Sequence, residues 1–175
     1  MDAQRPMSAT TNLQLRRPQL TDGAAAQRLV ANSPPLDHNS DYLYFLLCSH
    51  FADSCVVAEA AAGEMVAFLS AYRKPSDPDV LFIWQVAVAA AYRGQGIGNQ
   101  LLDHLLQRPA CVGVRWLEST VSPSNQPSRR LFERFAAAHS AGWQESIFLD
   151  ASQFGDSGHE TELLFRIGPL HSVGS

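Results

Sequence analysis

The sequence has few cysteines, no excess of basic residues and no long apolar run. The three cysteines, Cys48, Cys55 and Cys111, are an odd number without CxxC spacing and lie in apolar stretches, so we expect reduced core residues. The 13 Lys and Arg residues against 17 Asp and Glu give a net charge of -4, which excludes a broad positive surface for nucleic acid or anionic membranes. A polyanionic ligand must therefore be bound by a local group of residues.

Other absences narrow the class of protein further. No apolar stretch approaches the ~20 residues that a membrane-spanning helix needs, and the first dozen residues contain no hydrophobic segment of the secretory type. The six histidines include no HxH or HExxH pair, so no metal site is predicted. We expect a cytoplasmic protein that works without a metal.

The length of 175 residues suits one domain with a full core. We predict that residues 13–168 form this domain and that residues 1–12 and 169–175 are flexible termini. An edge strand at 13–17 precedes a helix that begins at Thr21 or Asp22, and the Pro-rich loop 33–40 ends at Ser40, a suitable N-cap for the next helix.

After residue 55 the hydrophobic period changes from helix to strand and later alternates between the two. Three strands at 55–59, 65–72 and 81–88 are separated by a turn at Gly63 and a loop at 74–79, which predicts an antiparallel meander. A helix at 96–107, a strand at 114–121, a helix at 125–138 and closing strands at 143–149 and 162–167 follow. This order predicts an α/β domain with a mixed sheet and a parallel crossover.

The most informative segment is Arg93-Gly94-Gln95-Gly96-Ile97-Gly98, which joins a strand to a helix. Alternate glycines let the backbone turn sharply and present N–H groups at a helix N-terminus, which suits a pyrophosphate, and Arg93 adds a positive charge. A dinucleotide-binding loop would need GxGxxG, and the third glycine comes one residue early. A P-loop would need a Lys after the glycines, and none follows. A glycine-rich turn without a ligand is the remaining alternative.

Two motifs resemble the GCN5-related N-acetyltransferases. VAVAAAYRGQGIG is similar to their motif A, a strand followed by [QR]xxGx[GA], with Arg93, Gly96 and Gly98 at the motif positions. The next helix is similar to their NxxAxxL[YF] pattern through Asn125, Ser128, Leu131 and Phe132. The resemblance implies a sheet with a splayed central strand and acetyl-CoA as co-substrate. The cofactor-binding residues that it implies are Val86, Val88, Arg93, Gly94, Gly96, Gly98 and Asn125, with the backbone N–H of Val88 as the oxyanion donor.

Four further segments resemble one family within that group, the L-2,4-diaminobutyrate acetyltransferases of ectoine synthesis. The segments are LDHNSDYLYFLLCSHFADSCVVAE, LFIWQVAV, TVSPSNQPSRRLF and GHETELLFRIG. The resemblance implies direct transfer of acetyl from acetyl-CoA to the γ-amino group of L-2,4-diaminobutyrate, and a homodimer. An acetyltransferase for another small cationic amine and a non-catalytic acyl-CoA sensor remain alternatives.

The chemistry defines what an acceptor pocket must supply. A primary ammonium cannot attack a thioester, and deprotonating a lysine-like amine at pH 7 spans about 3.4 pKa units, so a nearby base is needed. By resemblance we assign Asp37, Asn39, Trp84, His159 and Glu162 to the substrate pocket, with Glu162 as the base. His159 and Glu162 would point to opposite faces of an extended strand and converge only if a turn intervenes.

Two points stay open at the level of sequence. Glu118 is an alternative candidate for the base, and a salt bridge is the alternative role for its side chain. Many members of the wider N-acetyltransferase superfamily have Tyr, the acid for the thiolate, at the position of Phe132, which cannot donate a proton. Tyr42, Tyr44, Tyr72, Tyr92 or a bound water could take that role.

Overall fold

The computed structural model of the protein describes residues 12–171, which form seven strands and four helices. The strands are β1 (Gln14–Arg16), β2 (Val56–Glu59), β3 (Met65–Lys74), β4 (Asp77–Val88), β5 (Trp116–Val121), β6 (Trp143–Leu149) and β7 (Glu162–Ile167). The helices are α1 (Gly23–Ala31), α2 (Asp41–Ser49), α3 (Ile97–Leu106) and α4 (Gln126–Ala138). Short 3-10 turns join several of these elements.

The strands form one mixed sheet in the order β1-β2-β3-β4-β5-β7-β6. Neighbours from β1 to β4 are antiparallel, β4 and β5 are parallel, and β7 lies between β5 and β6, antiparallel to both. The expected meander followed by a parallel crossover is confirmed.

The sheet opens between its two parallel strands. β4 pairs with β5 only from Val80 to Phe82, opposite Trp116 to Glu118, although both strands continue beyond these residues. The splayed central strand is therefore confirmed, and after Phe82 one edge of β4 has no strand partner within residues 12–171.

Helices cover both faces of the sheet and hold the opening in place. One core cluster joins α3 and α4 to the sheet through residues such as Leu101, Leu105 and Phe135, all fully buried. A second cluster joins α1 and α2 to the other face through Val30, Tyr44 and others. The apolar face of α3 thus packs on the sheet and fixes the glycine loop that precedes it.

The structure differs from the sequence-based expectation at a few element ends. β4 begins at Asp77 instead of residue 81. Pro78 has no N–H to donate, but it precedes the residues at which β4 pairs with β5, so no hydrogen bond between these two strands is lost. Ser40 occupies the N-cap position of α2, but its side chain makes no capping hydrogen bond.

The packed chain also continues two residues beyond 168. Leu170 is buried, and its N–H donates to the carbonyl of Arg115. The predicted flexible terminus at 1–12 lies, apart from residue 12, outside the described residues, as do residues 172–175. The described part of the chain contains no helix with the length and hydropathy of a membrane span.

Candidate active site

A cleft of about 480 Å³ opens where β4 ends and α3 begins. All seven residues that the sequence assigned to the cofactor line this cleft. Further lining residues come from the loop between α1 and α2, from the turn that follows β4 and from α4. They include Ser33, Leu36, Tyr92, Arg130, Leu131 and Arg134.

The glycine loop has the backbone that its sequence predicts. Gly94 and Gly96 have φ of +77° and +76°, a left-handed conformation that L side chains adopt at a cost of roughly 1–2 kcal/mol. A Cβ atom at either position would meet nothing within 4 Å, so the space in front of both residues is open. Gly98 differs, because its Cβ would lie 2.8 Å from Leu131 Cδ1 on α4. Gly94 and Gly96 therefore leave room for a ligand, whereas Gly98 also allows α3 to pack on α4.

The edge of β4 presents backbone donors to the cleft. The N–H of Ala89 donates to the carbonyl of Val66 on β3, so by strand alternation the N–H groups of Val86 and Val88 point away from β3, toward the opening. The Nε of Arg93 donates to the carbonyl of Val88 over 2.9 Å. The carbonyl of Val88 is thus occupied, while its N–H faces the splay.

The N-terminus of α4 forms the second wall of the cleft. Asn125 is its N-cap, and its Oδ1 accepts the N–H of Ser128 over 3.2 Å. Arg130 and Arg134, one helical turn apart, add two positive charges to the lining. Together with Arg93 they give this acidic protein the local cationic site that an anionic ligand requires.

Three of the predicted acceptor residues meet on the α1–α2 side of the sheet. The Nε2 of His159 lies 3.4 Å from Oδ1 of Asp37, and its Nδ1 lies 3.9 Å from Oε1 of Glu162. They converge because a 3-10 turn ends at Gly158, with φ of +71°, and β7 begins only at Glu162. The intervening turn that convergence required is therefore present.

The surroundings of Glu162 and His159 shift the pKa values of both side chains. Burial raises the pKa of the Glu162 carboxyl, whose side chain is 15% exposed, and the neighbouring Asp37 carboxylate adds to the shift, although His159 opposes it. The carbonyl of Glu160 and the Asp37 carboxylate raise the pKa of His159. The side chain of Thr120 on β5 lowers the pKa of Glu162 slightly, so this carboxyl lies beside the part of β5 that has separated from β4.

Glu160 connects the acceptor side to the cofactor side. Its Oε2 accepts the hydroxyl of Ser124 over 2.7 Å and the N–H of Ser124 over 3.2 Å. Ser124 directly precedes Asn125, the N-cap of α4. The segment that carries His159 and Glu162 is thus tied to the loop that starts α4.

The remaining acceptor residues lie on neighbouring elements. Trp84 is the extra residue of a β-bulge in β4, between the pairs Ser70–Gln85 and Ala71–Ile83, and it is partly exposed. Asn39 lies beside Tyr44, and its Nδ2 is buried without a well-formed hydrogen bond among the described residues. Their roles toward a substrate stay predictions.

Glu118, the rival base, forms salt bridges on both sides. Its Oε2 accepts from Lys74 Nζ over 2.8 Å, its Oε1 accepts from Arg166 Nη1, and its side chain is 2% exposed. Both oxygens are therefore occupied by cations. Glu162, whose surroundings raise its pKa, is better suited to accept a proton.

The tyrosines and Phe132 lie in different surroundings. Phe132 is buried 6.3 Å from Phe165 between ring centres, and Tyr72 packs on Phe82. Tyr44 donates to Gln85, and Tyr42 is exposed. Of the four tyrosines, Tyr92 lines the cleft.

The cysteines are buried, as expected. Burial raises the pKa of Cys48 and of Cys55 to about 12 and also raises that of Cys111. None of these thiols is activated as a nucleophile. Within residues 12–171, no group of three or more His, Cys, Asp or Glu side chains could hold a metal ion.

Sequence reasoning missed several residues of the site. Arg130 and Arg134 lie in a polar helical stretch in which charged residues are usually solvated, so nothing in the local pattern distinguishes them from surface residues. Gln85 offered one signal, since it is a polar residue within an apolar strand.

Comparisons with known proteins give a consistent result. The sequence pattern of the acetyltransferase (GNAT) family matches residues 22–137. The chain is 50% identical over 156 residues to an L-2,4-diaminobutyric acid acetyltransferase of Bordetella parapertussis, covering 89% of this chain and 84% of that protein. It is 43% identical over 166 residues to one from Shouchella clausii, covering 95% and 92%.

A solved structure is similar over almost the whole fold. It is the diaminobutyrate acetyltransferase EctA from Paenibacillus lautus in complex with its substrate L-2,4-diaminobutyric acid and coenzyme A. The TM-score is 0.88 at 44% identity, covering 94% of this chain and 99% of that one.

Proposed function

Because the chain belongs to the acetyltransferase (GNAT) family and, within it, to the L-2,4-diaminobutyric acid acetyltransferases, we propose that Glu162 is the base of its reaction and Val88 its oxyanion donor. The enzyme transfers acetyl from acetyl-CoA to the γ-amino group of L-2,4-diaminobutyrate, which yields the compound cyclised to ectoine. The observation that carries the assignment of roles is a half-buried carboxyl with a raised pKa beside the opening of the sheet, in a fold whose cleft has left-handed glycines.

Different residues of the cleft bind different parts of acetyl-CoA. The N–H groups at Gly94 and Gly96, at the start of α3, suit the pyrophosphate, and Arg93 adds a charge. The free backbone edge of β4 at Val86 and Val88 suits the amides of the pantetheine arm. Asn125, whose Oδ1 caps α4, keeps its Nδ2 for the same arm.

The acceptor side complements the charges of diaminobutyrate. Asp37 and Glu162 attract its ammonium groups, Asn39 offers an amide, and Trp84 and His159 form the walls. Glu162 takes a proton from the γ-ammonium, and the freed nitrogen attacks the thioester carbon. The carbonyl oxygen gains negative charge while it accepts the Val88 N–H. The intermediate then collapses to the amide with loss of the CoA thiolate, and the second proton of the attacking nitrogen passes to that thiolate.

The state of the cysteines supports transfer without an acyl-enzyme. An acyl-enzyme needs an activated nucleophile, and burial disfavours the thiolate of all three cysteines. Both substrates must then be bound together, with the amine facing the thioester.

We assign Arg130 and Arg134 to the 3′-phosphate of CoA, because both line the cleft from one face of α4. Replacing both with Gln is expected to weaken acetyl-CoA binding about tenfold and to leave binding of the 3′-dephospho analogue nearly unchanged. Calorimetry with the two ligands measures this difference. Arg115→Gln, an exposed arginine at the opposite end of β5, is the matched control. Equal losses for both ligands would contradict the assignment.

We also propose a homodimer that works in the cytoplasm. The outer edge of β6 has no strand partner among residues 12–171, and Ile147, Phe148 and Trp143 expose apolar area there, Ile147 at 67%. Adjacent exposed apolar residues on both faces of an edge strand suit pairing with a second copy. Sedimentation of the protein as a monomer at micromolar concentration would contradict the proposal.

Substrate choice is tested by thiol release from acetyl-CoA with L-2,4-diaminobutyrate, ornithine, lysine, a polyamine and an aminoglycoside. The assignment predicts selective turnover of diaminobutyrate, because the chain is 44% identical to a protein whose structure holds this substrate. Preferred turnover of a longer amine would overturn the substrate while leaving the fold, and tight acetyl-CoA binding with no turnover would indicate a sensor.

A further inference from the structure

Gln85 is a buried polar residue whose two hydrogen bonds lead to the acceptor site. It lies on β4 between Trp84 and Val86 and is 4% exposed. Its Nε2 donates to the carbonyl of Asp37 over 2.9 Å, and its Oε1 accepts the hydroxyl of Tyr44 over 3.3 Å. The Asp37 carbonyl can only accept, which fixes the orientation of the amide. Both ends of a buried amide are thus engaged in holding other elements.

The loop that Gln85 holds reaches both halves of the site. Ser33 to Leu36 line the cofactor cleft, and Asp37 lies 3.4 Å from His159. At its start the loop is fixed to α1, where the hydroxyl of Ser33 donates to the carbonyl of Leu29. The side chain of Asp37 is 70% exposed, so its position depends on its backbone, which the Gln85 amide anchors.

Tyr44 completes the support from the other side. It is 1% exposed on α2, packed in the core cluster beneath the loop. Its hydroxyl holds the oxygen of Gln85 and thereby keeps the amide nitrogen directed at Asp37. Tyr44 thus orients the Gln85 amide, and Gln85 in turn holds the backbone of Asp37.

We propose that Gln85 is a positioning residue that places the Asp37 carboxylate against His159 and so sets the affinity for the cationic acceptor. Gln85 acts through the loop and not by touching the substrate. The inference rests on the proposed function, because it requires Asp37 to bind an amino group.

The test is a double-mutant cycle between Gln85→Met and Asp37→Asn. Met has nearly the volume of Gln and removes both hydrogen bonds. We expect Gln85→Met to raise the KM for diaminobutyrate about tenfold with a smaller change in kcat, and to change the acetyl-CoA affinity by less than about threefold. In the double variant the two effects are expected to be far from additive, since Gln85 acts through Asp37.

Two further variants separate positioning from stability. Gln85→Glu keeps an acceptor for Tyr44 but loses the donor to Asp37, so its KM should resemble that of Gln85→Met. Tyr44→Phe keeps the bond to Asp37 and should change KM less. Both remain informative if Gln85→Met does not fold.

The outcomes are distinguishable. A raised KM with non-additive coupling supports the inference. A lowered melting temperature with an unchanged KM, or additive effects in the double variant, would overturn it while leaving the proposed function intact. A normal KM in Asp37→Asn alone would remove Asp37 from the acceptor site, and the inference with it.

Discussion

Replacing Glu162 with Gln is expected to lower kcat by about 10²- to 10⁴-fold, the range that a positioned general base contributes. Gln has nearly the same size and can keep the contact with Thr120, but it cannot accept a proton from the γ-ammonium. The affinity for acetyl-CoA should not change, because Glu162 lies on β7 and does not line the cofactor cleft. Steady-state kinetics and calorimetry measure the two quantities separately.

The matched control is Glu64→Gln, an exposed carboxylate in the turn between β2 and β3, which should keep wild-type kinetics. The pH profile adds a second readout. The base acts only when ionised, and burial raises the pKa of Glu162. As the pH decreases, wild-type kcat/KM should therefore begin to fall at a higher pH than it would if the base were a glutamate of ordinary pKa. That acidic limb should disappear in Glu162→Gln. A variant with wild-type turnover would exclude Glu162 as the base.

Replacing Gly96 with Val is expected to lower the affinity for acetyl-CoA by at least about 100-fold. The Cβ of a side chain would project into the open space in front of the loop, where the pyrophosphate must approach the backbone N–H groups. The left-handed φ of +76° adds strain, because β-branched residues disfavour this conformation. Calorimetric titration with acetyl-CoA measures the loss.

Gly63→Val is a closely matched control. Gly63 has φ of +80°, meets nothing within 4 Å and lies in the turn between β2 and β3, away from the cleft. Both variants should lose roughly 1–2 kcal/mol of stability from backbone strain, and only Gly96→Val should lose acetyl-CoA binding. Equal affinities in the two variants would contradict the assignment of the glycine loop.

The fold could be predicted from sequence wherever the local pattern is strong. The bounds of β6 and β7 match the expectation, and the helices differ by about one residue, because alternating and helical apolar patterns define them. The start of β4 was not predicted, since Pro78 and its acidic neighbours are typical of loops. A strand is tolerated there because β4 pairs with β5 only from Val80 onward.

The site was predictable in part, for physical reasons that differ between its halves. Six of the seven cofactor residues lie between Val86 and Gly98, so their grouping follows from local structure, whereas Asn125 is the N-cap of α4. The approach of His159 to Asp37 joins segments more than 120 residues apart and depends on a turn at Gly158. Gln85, Arg130 and Arg134 could not be assigned roles, because polar residues at such positions are selected only by what the fold places opposite them.

The central claim is that acetyl passes from acetyl-CoA to the γ-nitrogen of L-2,4-diaminobutyrate in this site. The most direct measurement is NMR of the product formed from isotope-labelled acetyl-CoA and diaminobutyrate by the wild-type enzyme. The account predicts one product, with the labelled acetyl group bonded to the γ-nitrogen and a free α-amino group. Acetylation at the α-nitrogen, or a mixture of both products, would contradict it.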